Sequence, residues 1–186
     1  MANQIKKILI KRILYGLALV LAAAATARAD FNDGVAAHAM GQYDKALEQF
    51  MPLAQGARHP LAQYYLGAMY AQGQGVAKSF EEAAKWYRAA AEQGIPQSQL
   101  RLAKLYTEGQ GVPKDLEAAY AWLSVAEHMG HAQAKNDKAQ LEGQLAADNL
   151  AHARQLAAEY TQKFGVRPDA RQTKTQPRTQ LDPAIQ

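Results

Sequence analysis

The side chains best suited by type to do chemistry lie in Gly73-Gln74-Gly75-Val76-Ala77-Lys78-Ser79, a glycine-rich run ending in an amine and a hydroxyl. A phosphate cradle needs glycine directly before the lysine and a strand leading into the loop, so that backbone N–H groups hold the phosphate while the lysine reaches it. Here Ala77 precedes Lys78, and the apolar spacing before the loop is helical. A second copy of the run carries Pro113 and Asp115, which remove a donor and add an anion where phosphate would sit. The run therefore reads as a tight interhelical turn whose glycines take positive φ while Val76 plugs the core.

The other candidates fare no better. His38, His59, His128, His131 and His152 form no H-E-x-x-H or comparable ligand spacing, and His128 and His131 straddle Gly130. Ser79, Ser98 and Ser124 sit in no nucleophile-elbow context. Glu81 and Glu82 are adjacent, so on a helix they point to different faces and cannot flank a scissile bond. The chain has no cysteine, which removes thiol catalysis and disulfides together. Trp86 and Trp122 could stack a ligand, but they recur in register with Ala83/Ala119 and Ala90/Ala126, the pattern of a packed helix face. Tyr70 and Tyr106 read the same way. The expectation is a protein without a catalytic centre, metal or cofactor.

The elements that would position these residues begin after a leader. Lys6, Lys7, Lys11 and Arg12 form a positive segment, followed by the uncharged apolar run from Ile13 to Ala25 and the small-x-small sequence Ala27-Arg28-Ala29. That order predicts a secretory signal over residues 1–29, cleaved after Ala29. The run is shorter than the roughly 20 apolar residues a bilayer span needs, so no integral span is expected after cleavage. Periplasmic or secreted localisation follows as an expectation. The leader holds five of the chain's 21 basic residues and no acid, which leaves 16 bases against 17 acids, a net of −1. The basic balance of the whole chain thus belongs to the leader and does not argue for nucleic acid.

At an offset of 36, residues 60–94 lie over 96–130 with 14 of 35 positions identical. The identities fall on Pro60/Pro96, Leu66/Leu102, Tyr70/Tyr106, Gly73/Gly109, Gly75/Gly111, Val76/Val112, Trp86/Trp122 and Gly94/Gly130, among others, so alanine richness does not explain them. Each unit reads as helix, glycine loop, helix. Pro60 and Pro96 suit the first helical position, Ser79 and Asp115 suit N-caps, and Gly94 and Gly130 suit the residue after the last turn. Phe80, Ala83, Ala84, Tyr87, Ala90 and Ala91 form one helical stripe, repeated by Leu116, Ala119, Tyr120, Leu123 and Ala126.

These residues resemble the Sel-one-like repeat, a longer-looped relative of the tetratricopeptide repeat. The family pattern is met by Ala62, Leu66, Gly67, Tyr70, Gly73, Gly75 and Val76, then by Ala83, Trp86, Ala90 and Gly94. The second copy departs at Ser98 and at Ala103, the latter implying slightly looser helix contact. The resemblance implies an all-α solenoid of antiparallel helix pairs and a role in binding other proteins. A cysteine-rich class of the family is linked to β-lactam binding, but it depends on paired cysteines that this chain lacks.

The expected organisation is a signal peptide at 1–29, a degenerate helical repeat at 30–57, repeats at 58–94 and 95–130, capping helices at 131–165 and a disordered tail at 166–186. In the cap, Leu141 and Leu145 mark one helix, and Asp148 is a candidate cap for another carrying Leu150, Ala153, Ala157, Tyr160 and Phe164 on one stripe. Such atypical ends cover the outer faces of stacked repeats. The tail combines proline with polar residues and no period, and Arg167, Arg171, Lys174 and Arg178 bias it positive.

With chemistry excluded, surface remains. The first helix of each pair should line the inner face of the solenoid, at Leu61, Tyr65, Ala68 and Gln72, then Gln97, Arg101, Lys104 and Glu108. Of these, Tyr65, Ala68, Gln72, Arg101, Lys104 and Glu108 are the partner-binding candidates, with Tyr65 and Arg101 foremost because such side chains dominate interface energetics. The expected function is an exported adaptor or scaffold for a protein partner. Binding to cell-wall peptidoglycan or, further off, hydrolysis of a cell-wall or β-lactam substrate are the alternatives.

Overall fold

Proline at the first helical position and glycine after the last turn delimit the central helices, as their chemistry requires. The computed structural model describes residues 30–165, which form α1 (Phe31–Ala39), α2 (Tyr43–Gln55), α3 (Pro60–Gln72), α4 (Phe80–Ala91), α5 (Pro96–Glu108), α6 (Leu116–His128), α7 (Ala132–Glu142) and α8 (Ala147–Phe164). No strand occurs among the described residues. The leader and tail expected at 1–29 and 166–186 lie outside them.

The caps are built as their residue types dictate. Ser79 Oγ accepts from the Glu82 N–H at the start of α4, and Asp115 accepts from the Glu117 and Ala118 N–H groups at the start of α6. His59 caps α3 through Nδ1, which accepts from the Ala62 N–H, while its ring stacks on Phe31 at 4.7 Å. Gly94 and Gly130 follow α4 and α6 with φ of 84° and 90°.

Each helix from α1 to α6 packs on the next, giving an all-α solenoid of helix pairs. The glycine loops join one pair to the pair before it. Gly75 and Gly111 both hold φ of 68°, and a Cβ on Gly111 would stand 2.2 Å from the Phe80 carbonyl carbon. A Cβ on Gly75 would similarly meet the backbone of Tyr43 at 3.0 Å. In each case the loop lies against the first residue of the preceding second helix, α4 or α2, so both a left-handed backbone and a missing side chain are needed. The contact with Tyr43 sets the loop after α3 against the start of α2.

The core follows the repeat. Ala37, Ala46, Phe50, Ala54, Ala62, Leu66 and Met69 pack as an N-terminal cluster. A larger one runs from Ala83 through Leu102, Trp122 and Leu141 to Ala157. α6 is its centre: Ala118 to Leu123, Val125 and Ala126 are all buried, because α5, α7 and α8 cover it from three sides. A helix apolar on every side has to be enclosed.

The C-terminal cap corrects two expectations. Asp148 is not a cap: Ala146 holds that position, and Asp148 lies in the first turn of α8, where a carboxylate suits the helix dipole instead. Leu145 is not on the helix of Leu141, because α7 ends at Glu142 and the Gln144 and Leu145 N–H groups turn back onto the Leu141 carbonyl. α8 also leaves the stacking order, packing along α6 where Trp122 meets Tyr160 and Phe164 at 5.0 and 5.2 Å.

Candidate partner-binding grooves

Arg101, Lys104 and Glu108 stand on α5 at i, i+3 and i+7, one face of the helix. Lys104 Nζ lies 3.7 Å from Glu108 Oε1. Opposite them, Ala68 and Gln72 stand on α3, and a groove of about 540 Å³ opens between the two helices. Its floor is aromatic: Tyr64 and Tyr87 are 6.1 Å apart between ring centroids, and Phe80 closes one end. Burial pushes the Tyr87 hydroxyl up to about 12, with nearby Arg101 opposing the shift, so the group stays neutral at physiological pH.

The sequence-predicted face is thus brought together in part. Ala68, Gln72, Arg101, Lys104 and Glu108 line the groove. Tyr65 does not. Its ring stacks on Phe50 at 4.8 Å and meets Phe31 and His38 edge-on, so it serves the N-terminal core. Leu61 and Gln97 are exposed. Tyr64, one residue earlier, provides the aromatic surface that Tyr65 was expected to give. The spacing i, i+4, i+7 fits two adjacent helical faces, and one position turns the face by about 100°.

The repeat signature is structural throughout. Leu66 and Leu102 are fully buried and Trp122 nearly so. Tyr70, Val76, Trp86, Tyr106 and Val112 are half-buried, and Gly73 and Gly109 end α3 and α5. Arg88 on α4 donates to the Tyr106 hydroxyl at 2.5 Å, tying successive pairs.

Two buried side chains escaped sequence reasoning. Gln63 Nε2 donates to the Ala54 carbonyl at 3.1 Å, and Gln99 Nε2 donates to the Ala91 carbonyl at the same distance. Each satisfies an orphan carbonyl in the last turn of the preceding helix. Their identity at the repeat offset was the available signal.

Among the described residues no group of histidine, cysteine or carboxylate side chains could hold a metal ion, and no helix is long and apolar enough to cross a membrane.

A family model described as the Sel1 repeat matches residues 60–95 and 96–131. The chain carries two Sel1 repeats. Solved structures extend the likeness beyond those units. One is a protective antigen present in uropathogenic Escherichia coli strains, displaying an SLR fold. It is 30% identical with a TM-score of 0.69, over 83% of this chain and 34% of that one. Another is a Sel1 repeat protein from Oxalobacter formigenes, 29% identical with a TM-score of 0.57, over 75% of this chain and 64% of that one. The chain thus spans about a third of the first protein's length and under two thirds of the second's. No curated protein matches. Sel1 repeats generally act as protein-interaction scaffolds, and the fold is typically non-enzymatic.

Proposed function

We propose that this chain is an exported, non-catalytic adaptor that holds a protein partner in the groove between α3 and α5. The observation that carries the reading is the groove itself, about 540 Å³, with tyrosines on its floor and Arg101 and Lys104 on its wall. Tyrosine and arginine are among the residues that most often concentrate binding energy at interfaces, because each offers a large contact area with a polar end. The groove side chains Arg101, Lys104 and Glu108 supply charge, but no nucleophile held by a base. Export rests on the leader read from residues 1–29, and a periplasmic or secreted location follows from it.

The test is an affinity pull-down from cell-envelope extract with the tagged chain beside an Arg101→Ala/Lys104→Ala variant. The expected result is a stoichiometric polypeptide retained by the first and lost from the second while its helical circular dichroism is unchanged. Equal retention by both would move the site elsewhere. Retention by purified peptidoglycan alone would replace the adaptor reading with cell-wall binding. Mass determination of the mature chain checks the leader, with Asp30 as the expected first residue.

A further inference from the structure

The groove has a copy of itself one repeat along. A second cavity of about 310 Å³ lies beyond α5, against α6 and α7. The two linings correspond by the same 36-residue offset that relates the repeats. Tyr64 and Tyr87 on the first floor become Leu100 and Leu123 in the second. Arg101, on the far wall of the first, becomes Asp137 on the far wall of the second. Arg101 and Lys104 line both cavities, so α5 is a ridge shared between two neighbouring sites.

We propose that both grooves are filled by one continuous partner segment, an acidic stretch of polypeptide whose carboxylate seats on Arg101 at the ridge while apolar side chains on either side enter the tyrosine-floored and leucine-floored grooves. This rests on the adaptor reading and specifies its ligand. Charge complementarity places the acid. Lys104 is partnered by Glu108, whereas Arg101 is exposed and has no carboxylate within ion-pair distance among the described residues. A guanidinium offers a planar fork of donors that a carboxylate meets with two parallel hydrogen bonds. The far wall of the second groove repels the same group, because Asp137 stands there, so the acid belongs at the ridge and a neutral or basic residue beyond it. The floors set the flanks: the tyrosine pair, its rings inclined at 43°, suits an aromatic side chain, and leucines suit a branched aliphatic one.

The test selects ligands from a phage-displayed random-peptide library on the full chain and measures the affinities of the selected peptides. The expected outcome is a shared carboxylate with apolar residues on both sides. Binding should weaken about tenfold or more in both Arg101→Glu and Arg101→Gln, as loss of a charge-assisted hydrogen bond implies. Lys85→Glu, on the outer face of α4 where Lys85 pairs with Glu82, should leave affinity unchanged. Selected peptides without a common acid, or equal binding by the Arg101 variants, would overturn the acidic-segment proposal while leaving the adaptor reading intact. No enrichment at all would also overturn it, and the adaptor reading would then stand or fall on the envelope pull-down.

Discussion

Gly67 lies directly under the ring of Tyr87, so close that a Cβ on the glycine would stand 2.6 Å from Tyr87 Cδ1. One repeat later the pair becomes Ala103 and Leu123, both buried and lining one cavity. The glycine and the tyrosine are therefore one device: the aromatic floor of the first groove exists because α3 has no side chain at that point. The alanine at position 103 accompanies a smaller partner, which accounts for the departure from the family pattern.

Gly67→Ala should cost about 1–3 kcal/mol by overpacking. The same change in a Tyr87→Leu background should cost much less. Urea denaturation of the four proteins in a double-mutant cycle measures the coupling. Equal cost in both backgrounds would mean that the ring is not what the glycine accommodates.

The buried glutamines make a second prediction. Gln63 Oε1 accepts from Gln93 Nε2 at 2.7 Å, but the Oε1 of Gln99 is buried without a partner. Met129 occupies the place of Gln93 in the second repeat, and its side chain has no N–H to give. Met129→Gln should therefore stabilise by about 0.5–1.5 kcal/mol, and Gln93→Met should destabilise by about 1–3 kcal/mol. Opposite shifts in the urea midpoint at constant slope are the signature.

The two tryptophans should differ. Trp122 is 3% exposed and holds α8 through Tyr160 and Phe164, so Trp122→Ala should cost on the order of 3–5 kcal/mol and expose α8 to limited proteolysis. Trp86 is half-buried against the N-terminal cluster, and Trp86→Ala should cost less and leave α8 protected. A Trp122→Ala cost below about 1 kcal/mol, the range of surface changes, would contradict the packing described.

Alkaline pH reports on the groove floor. Burial raises Tyr87 from the ordinary 10.0 to about 12. Because the folded value lies above the unfolded one, its contribution is complete below pH 10 and fades as pH rises toward 12. Tyr87→Phe should flatten the loss of stability across that window, followed by denaturation at stepped pH. An unchanged pH profile would place the ring in contact with water.

Much of this fold could be read without coordinates. Period, proline starts, hydroxyl and carboxylate caps and closing glycines placed α3 to α6, because those signals are local and each has its own backbone cause. The atypical cap was less legible. Leu145 and Asp148 fitted helical spacing, yet the backbone bonds of Gln144 and Leu145 onto the Leu141 carbonyl ended α7 first. The site was largely legible: Arg101, Lys104 and Glu108 on α5 and Ala68 and Gln72 on α3 were read in register, while Tyr65 was read in place of Tyr64.

What the sequence alone determined is what nearest neighbours along the chain impose: two copies of a helix–loop–helix unit, their loops and their caps. Tertiary structure decided the rotation of each helix about its axis, and so whether Tyr64 or Tyr65 faces the groove. It also decided that α8 docks on α6 instead of α7. The reason is that a helix with apolar residues on more than one face, as α3 has with Tyr64, Tyr65 and Leu66, is turned by whatever packs against it. Here Phe50 of α2 takes the Tyr65 ring, and Tyr64 is left to the groove.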